Sequence, residues 1–207
     1  KVLGEKELQK LKMGLLLAVG AGTVHETKLI VMEYWGAGKP TKSEKSKSKQ
    51  PIVFIGKGIT YDTGGLNIKP SGHMHDMHMD MSGGSSVIGT VTAAAKLGLK
   101  KNIIGIIPAA ENAVSDRAMR AGDIITAMNK KTVEVIHTDA EGRMVLADAL
   151  TYSERYNPKV IIDIATLTGA ALVALGQHAS AIMTKHVNLE TQLRELGEVS
   201  GDYVWPL

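Results

Sequence analysis

The sequence contains no cysteine, no marked excess of either charge and no long apolar run. Without cysteine, disulfides, thiolate metal sites and a cysteine nucleophile are all excluded. The 24 lysine and arginine residues are nearly balanced by 21 aspartate and glutamate residues, and a net charge of +3 gives no indication of a nucleic-acid-binding protein. The most apolar stretch, residues 160–176, is interrupted by one aspartate and two threonines. We therefore expect no membrane span.

The composition that remains is that of a globular protein. With 207 residues, of which 44% are hydrophobic and 22% charged, the chain can bury a core and suits one domain or a large piece of one. One low-complexity segment, residues 36–50, intersperses lysines with serines and contains no aromatic residue. We interpret this segment as a solvated loop rather than a polyanion-binding patch.

Apolar periodicity predicts strands that alternate with helices. We predict helices at residues 5–19, 82–99, 143–156 and 189–196, and strands at residues 28–33, 52–55, 102–110, 124–128, 132–136, 160–165 and 179–184. The strands at 124–128 and 132–136 flank a short polar turn and should form a hairpin. The alternation indicates an α/β fold with a mixed, largely parallel central sheet and helices on both faces.

Three polar loops, at residues 56–69, 73–80 and 137–143, interrupt this pattern. In sheets of this kind, ligands bind beyond the carboxyl ends of the strands. In the third loop Asp139, Glu141 and Arg143 are spaced at i, i+2 and i+4, which on an extended backbone places them on one face. Two such close carboxylates repel unless a cation lies between them. That cation is either Arg143 or a metal ion, and an ion-pair cluster at a helix N-terminus is the structural alternative.

The first loop adds glycines and further charged residues. It lacks the G-x-x-x-x-G-K-[ST] pattern of a phosphate-binding loop. Asp62 and Asp80 join Asp139 and Glu141 to give four carboxylates from separate loops. Without cysteine, such a set suits Mn²⁺, Mg²⁺ or Zn²⁺. Glu111 and Asn112, which follow a buried strand, are possible partners of these ligands.

Four segments then resemble a known family. They are GKGITYDTGGLNIK (56–69), DMHMDMSGG (76–84), HTDAEGRMVLADAL (137–150) and DIATLTGA (163–170). In this order and spacing they resemble the signature segments of the leucyl aminopeptidase, or cytosol aminopeptidase, family of two-metal exopeptidases. The resemblance covers essentially the whole chain. It implies that residues 1–207 are part of a metallo-aminopeptidase catalytic domain, because the family has a separate domain before this region and further pocket residues after it.

The resemblance also implies roles for individual residues. The metal ligands it implies are Lys57, Asp62, Asp80, Asp139 and Glu141. The catalytic residues are Lys69 and Arg143, and the substrate-binding residues are Met77, Thr166, Leu167 and Gly169. Its implied cofactors are two divalent ions per subunit, Mn²⁺ or Zn²⁺, with a bicarbonate held by Arg143 as general base.

The implied reaction is hydrolysis of the first peptide bond of a peptide with a Leu-like first residue. A water that bridges the two ions attacks the carbonyl while Lys69 polarises it. A lysine ligand must be a neutral amine, which costs about 5 kcal/mol at neutral pH. Two adjacent dications destabilise the ammonium form of Lys57 enough to meet this cost.

The family resemblance further implies peptide substrates, a homo-hexamer and a cytoplasmic location, with no membrane or nucleic-acid partner. The family takes no ligand from the positions of His73, His75 and His78, which we interpret as loop residues, and His137 replaces a family asparagine. Two alternatives remain open: a two-metal phosphoester hydrolase that uses the same carboxylates, and an inactive scaffolding subunit. We expect the 207-residue piece to be less active than a longer parent.

Overall fold

The computed structural model describes residues 1–40 and 49–207. Residues 41–48 of the lysine- and serine-rich segment, predicted as a loop, lie outside the described residues. The chain divides into two compact units, Lys1–Thr166 and Leu167–Leu207. Within the described ranges, no helix combines the length and the apolar character needed to cross a membrane.

The first unit contains the following elements in chain order: β1 (Val2–Leu3), α1 (Glu5–Lys10), α2 (Gly14–Val19), β2 (Lys28–Trp35), β3 (Ile52–Gly56), β4 (Gly58–Asp62), α3 (Ser82–Lys96), β5 (Asn102–Asn112), β6 (Ile124–Thr126), β7 (Thr132–Glu134), α4 (Glu141–Ser153) and β8 (Val160–Ile164). Short 3₁₀ turns lie at Met77–Met79 and Thr138–Ala140.

The central sheet has the strand order β1-β2-β5-β3-β8, with β4 also paired to β5. Strands β3, β4 and β8 run parallel to their partners, whereas β1 and β2 pair antiparallel. This confirms the predicted mixed, largely parallel sheet. Its parallel strands bring their carboxyl ends to one edge, where the polar loops follow.

Helices cover both faces of this sheet because the apolar residues of β5 alternate. Ile103 and Ile107 pack in a cluster with Val87 and Val91 of α3. Ile104 and Ile106 belong to the larger core with residues of α1, α2 and α4. A strand that is apolar on both sides has to be buried on both sides, and this fixes β5 at the centre.

The predicted helix at 5–19 is wrong in one respect, because the structure has two helices there, separated at residues 11–13. Lys12 takes a positive φ of 58°, which ends the first helix. Gly14 then begins α2 so close to the hairpin that a Cβ there would lie 2.1 Å from the Thr126 carbonyl oxygen. The leucine spacing is helical throughout, so this tertiary contact is invisible in local periodicity.

The prediction that residues 56–69 form a loop is also wrong in part, because β4 lies within this range. Ile59 is fully buried and pairs with Ala110 of β5. The glycines at 56, 58, 64 and 65 suggest a loop, but the buried isoleucine and the ladder to β5 outweigh that local preference. The 124–136 hairpin is confirmed with shorter strands, β6 and β7.

The second unit contains α5 (Gly169–Leu175), β9 (Ser180–Ile182), α6 (Val187–Ser200) and β10 (Val204–Pro206). Strands β9 and β10 pair in parallel. The helix predicted at 189–196 is confirmed and is longer than expected, whereas α5 was not predicted.

Candidate active site

Two of the predicted ligand residues lie at the carboxyl ends of parallel strands, and the other three lie just before or at the start of helices. Lys57 stands between β3 and β4, and Asp62 is the last residue of β4. Asp80 lies two residues before the start of α3, and Gly83 of α3 lies so close to β8 that a Cβ would be 2.0 Å from the Ile164 carbonyl oxygen. Only a glycine permits this approach, which brings Asp80 to the end of the sheet.

A buried ion pair with two acids forms around Lys57. Its Nζ lies 2.8 Å from both Asp80 Oδ2 and Glu141 Oε1, and donates to the Thr166 carbonyl oxygen at 3.1 Å. The Thr166 hydroxyl in turn donates to Asp80 Oδ1 at 2.7 Å. Lys57 is 3% exposed, so these partners replace water around the ammonium group.

A second ion pair forms around Lys69. Its Nζ lies 2.8 Å from Asp62 Oδ2 and 2.5 Å from Asp139 Oδ1. Asp62 Oδ1 accepts hydrogen bonds from the backbone N–H of Gly64 and from Asn112 Nδ2, at 2.9 and 2.8 Å. The two lysines thus pair with four carboxylates, which leaves two negative charges unbalanced when all four acids are ionised.

The carboxylates converge tightly enough to hold a cation. Asp62, Asp139 and Glu141 each place an oxygen within 4.8 Å of the others. Glu141 Oε2 is shielded from solvent and accepts no hydrogen bond from the described residues. A buried carboxylate oxygen without a donor is costly unless a cation neutralises it. The donor set therefore fits a divalent metal ion that prefers oxygen ligands.

The crowding of acids is visible in the pKa values. Burial raises the pKa of Glu141 to about 7; the Lys57 ammonium lowers this pKa and the nearby Asp62 charge raises it. Burial also raises the pKa of Asp80, in spite of its ion pair with Lys57. Burial alone would lower the pKa of Lys57, but the Glu141 charge and the hydrogen bonds to both acids raise it overall. With these two acids as its partners, Lys57 is an ammonium ion.

Comparison with known proteins agrees with the sequence motifs. A family model described as the cytosol aminopeptidase family, catalytic domain, matches residues 1–207. The chain belongs to the cytosol aminopeptidase family. It is 50% identical over 205 residues to a probable cytosol aminopeptidase of Alkalilimnicola ehrlichii, a match that covers 99% of this chain and 40% of that protein.

Two further relatives give the same result. The chain is 48% identical to a probable cytosol aminopeptidase of Nitrosospira multiformis, with 100% of this chain and 38% of that protein covered. It is 47% identical to a cytosol aminopeptidase of Vibrio cholerae, with 100% and 40% covered. The chain thus spans about two-fifths of the length of these members of the cytosol aminopeptidase family.

The expectation that Asp139, Glu141 and Arg143 share one face of an extended backbone is wrong. Asp139 lies in a 3₁₀ turn and Glu141 begins α4, so the backbone is helical there. Arg143 is exposed and pairs with neither acid among the described residues. The cations beside these acids are instead Lys69 and Lys57, which come from a distant part of the sequence. Together with His137 and Asp139, Arg143 lines a cavity of about 480 Å³.

The substrate-binding residues implied by the cytosol aminopeptidase family fall in different places. Thr166 contacts both Lys57 and Asp80, as described above. Met77 is half-buried in the 3₁₀ turn that leads to Asp80. Leu167 and Gly169 belong to the second unit, where Gly169 begins α5. The assignment of all four residues to substrate binding stays a prediction.

The histidines do not join the acidic cluster. His73, His75 and His78 are exposed, and the carboxylate group formed by Asp62, Asp139 and Glu141 includes none of them. His137 Nδ1 accepts a hydrogen bond from the backbone N–H of Asp139 at 3.2 Å. His137 therefore caps the 3₁₀ turn that carries a predicted metal ligand.

The structure distinguishes between the two residues proposed as partners of the ligands. Asn112 contacts Asp62, whereas the Glu111 carboxylate accepts a hydrogen bond from the Thr23 hydroxyl instead. Sequence reasoning missed Thr138 and Asn67, which hydrogen-bond to each other across two of the polar loops. Their presence inside two of the family-like segments was the available signal.

Proposed function

We propose that this protein is a metal-dependent aminopeptidase that removes the first residue of a peptide, with a preference for Leu-like residues. The observation that carries the proposal is the convergence of Asp62, Asp139 and Glu141, where the shielded Glu141 Oε2 has no hydrogen-bond donor among the described residues. A bound metal ion would supply the positive charge that such an oxygen lacks. Membership of the cytosol aminopeptidase family supports the same activity.

The residues that would hold the metal are five donors from three segments: Lys57, Asp62, Asp80, Asp139 and Glu141. Two divalent ions, Mn²⁺ or Zn²⁺, would supply an activated water and a Lewis acid for the scissile carbonyl. Lys57 would then serve as a neutral amine. Its place between Asp80 and Glu141 puts the nitrogen among the oxygen donors that would bind the same ion.

Lys69 is suited to stabilise negative charge on the substrate. Burial lowers its pKa, but hydrogen bonds to Asp139 and Asp62 and their charges raise that pKa overall, so the side chain is an ammonium ion at neutral pH. A fixed ammonium group donates hydrogen bonds to the oxygen of the scissile carbonyl as that oxygen becomes negative. In the structure the ion pairs with Asp62 and Asp139 fix the position of this group.

Arg143 has a different environment and, we propose, a different role. It is an exposed cation at a cavity that Asp139 also lines, and it is not neutralised by an ion pair with the described residues. It can therefore hold an anion at the edge of the metal centre. In the proposed reaction this anion is bicarbonate, which would supply the general base.

We also propose, from the family alone, that Met77, Thr166, Leu167 and Gly169 contact the substrate, with the Leu167 carbonyl accepting from its α-amine. The proposal extends to a cytoplasmic homo-hexamer. Analytical ultracentrifugation of the protein at its full natural length measures the assembly directly.

The activity is tested by hydrolysis of leucine p-nitroanilide with the protein at its full natural length. The enzyme is stripped with a chelator and then reconstituted with Mn²⁺ or Zn²⁺. We expect hydrolysis only after reconstitution, and none of N-acetyl-leucine p-nitroanilide, which lacks the free amine. Asp80→Ala and Arg143→Ala should both lose activity.

The matched control is Asp76→Ala, which removes an exposed acid four residues from Asp80 and should keep full activity. Turnover of p-nitrophenyl phosphate in place of leucine p-nitroanilide would favour the phosphoester hydrolase. If the metal-loaded protein hydrolyses neither substrate, the enzyme proposal fails.

A further inference from the structure

Strand β5 begins and ends with a buried asparagine. Asn102 and Asn112 are 3% and 2% exposed, and each side chain donates two hydrogen bonds. Asn102 Nδ2 donates to the carbonyl oxygens of Gly38 and Lys49, and its Oδ1 accepts from Ala37 N–H. Asn102 therefore joins two backbone segments to β5, at the end of the sheet opposite the candidate metal site.

Asn112 is at the opposite end of the strand and has a charged partner. Its Nδ2 donates to Asp62 Oδ1 at 2.8 Å and to the Thr138 carbonyl oxygen at 3.1 Å. Both partners are acceptors, so the amide has one orientation, with its nitrogen facing them. With the Gly64 N–H also bonded to Asp62 Oδ1, that oxygen is fully occupied, and Oδ2 is left to face Lys69.

The second hydrogen bond of Asn112 reaches the loop that carries the other ligands. Thr138 immediately precedes Asp139, and its hydroxyl donates to the Gly64 carbonyl oxygen at 2.6 Å. The backbone carbonyl oxygen of Asn112 accepts hydrogen bonds from both the N–H and the hydroxyl of Thr63. One residue of β5 is thus bonded to the segment after β4 and to the segment before α4.

We propose that Asn112 is a positioning residue for the metal centre, which orients the Asp62 carboxylate and fixes its distance from Asp139. This inference rests on the proposed function, since it assigns Asn112 to the same site. Asn112 does not contact the reacting atoms; it acts through Asp62 and the Thr138 carbonyl. Partners of this kind typically affect metal affinity by about 10–100-fold.

The test compares Mn²⁺ affinity, measured by isothermal titration calorimetry, across three variants of the protein at its full natural length. Asn112→Ala should weaken Mn²⁺ binding by about 10–100-fold. Asn102→Ala is the matched control: it should lower the unfolding midpoint of the metal-free protein and leave Mn²⁺ affinity as in the wild type. A general loss of stability would affect both variants alike.

The direction in which Asn112→Asp changes Mn²⁺ affinity distinguishes a positioning role from a space-filling one. The substitution keeps the volume of the side chain but replaces the amide donor by an acceptor, and it adds a negative charge near Asp62. If Asn112 merely fills space, the added charge should leave Mn²⁺ binding unchanged or strengthen it. If Asn112 positions Asp62, the lost donor should weaken binding, as in Asn112→Ala. Because the shape is retained, this variant also serves if Asn112→Ala fails to fold.

Two outcomes overturn the inference. One is wild-type or tighter Mn²⁺ affinity in a folded Asn112→Asp variant, and the other is the absence of Mn²⁺ and Zn²⁺ binding by the wild-type protein. Failure of the aminopeptidase proposal is seen separately, as metal binding by the wild type without hydrolysis of leucine p-nitroanilide. In that case the affinity comparison still decides the role of Asn112.

Discussion

Two buried carboxylates on the same helix, α4, have opposite surroundings. Glu141 and Asp148 are seven residues apart, about two turns, and are 1% and 0% exposed. Asp148 Oδ2 accepts from the N–H groups of Leu15 and Leu16, and its Oδ1 accepts from Met128 N–H. Glu141 Oε1 pairs with Lys57, while its Oε2 accepts no hydrogen bond from the described residues.

The difference shows how a structural acid is distinguished from one that awaits a ligand. Burial raises the pKa of both groups, so burial alone does not separate them. The oxygens of Asp148 are satisfied by backbone donors from α2 and from the hairpin loop, and Asp148 thereby joins these segments to α4. Glu141 has an oxygen that only a cation or a proton can satisfy.

Replacement of Asp148 by alanine should produce the largest loss of stability. It leaves three N–H groups without their acceptor, and each buried unsatisfied donor costs about 1–3 kcal/mol. We expect the free energy of unfolding to fall by at least about 3 kcal/mol in urea titration, with Mn²⁺ affinity of the folded protein unchanged. Asp116→Ala, at an exposed acid, is the control and should have little effect. A loss below about 1 kcal/mol would show that the Asp148 hydrogen bonds are not structural.

Glu141→Gln should have the opposite effect: a large loss of Mn²⁺ affinity with little change in the free energy of unfolding. The amide keeps the size of the side chain and an oxygen that can accept from Lys57, but it removes the charge. Residues that act on a metal only through its ligands already change affinity by about 10–100-fold, so a ligand should exceed about 100-fold. Calorimetric titration with Mn²⁺ and with Zn²⁺ measures the loss. Unchanged affinity in this variant would show that Glu141 is not a metal ligand. The proposed functional difference between Glu141 and Asp148 would then be wrong.

The sequence was sufficient to predict the α/β class, the mixed sheet and the residues of the acidic cluster. The class and the sheet follow from the local periodicity of apolar residues. The acidic residues were found because they lie in sequence motifs that follow the strands. The break at Lys12 could not be predicted, because it follows from contacts of α2 with Thr126 and with Asp148, both more than 100 residues away. Local glycines and apolar spacing carry no information about such partners.

The candidate site shows the same limit. Sequence identified Glu111 and Asn112 together, yet only the strand register shows that Asn112 faces Asp62. The spacing of Asp139, Glu141 and Arg143 suggested an arginine among the acids, whereas lysines more than 65 residues away occupy that position. Pairing between distant loops depends on the fold, and the i, i+2 and i+4 pattern does not determine it.

Glu33 can be compared with Glu141 and Asp148, because it is a partly buried acid whose oxygens accept hydrogen bonds from neutral and charged donors. Lys1 Nζ and the Tyr156 hydroxyl donate to Oε1 at 2.9 and 3.0 Å, and Trp35 Nε1 donates to Oε2 at 3.2 Å. Burial raises the pKa of Glu33, but these hydrogen bonds and the Lys1 charge lower it below its usual range. At Glu33 the donors thus lower the pKa, whereas burial raises the pKa of Glu141 and Asp148.

A lowered pKa means that ionised Glu33 stabilises the folded state above the pKa of the unfolded chain, about 4.5. This stabilisation is lost as the pH falls through the lower pKa of the folded state. Urea titrations of wild type and Glu33→Gln should therefore differ by a constant amount, below about 1 kcal/mol, from pH 7 to about 5. The difference should shrink at lower pH. A Glu154→Gln control, at an exposed acid, should show no such trend, and a difference that grows on acidification would mean that burial outweighs the three donors at Glu33.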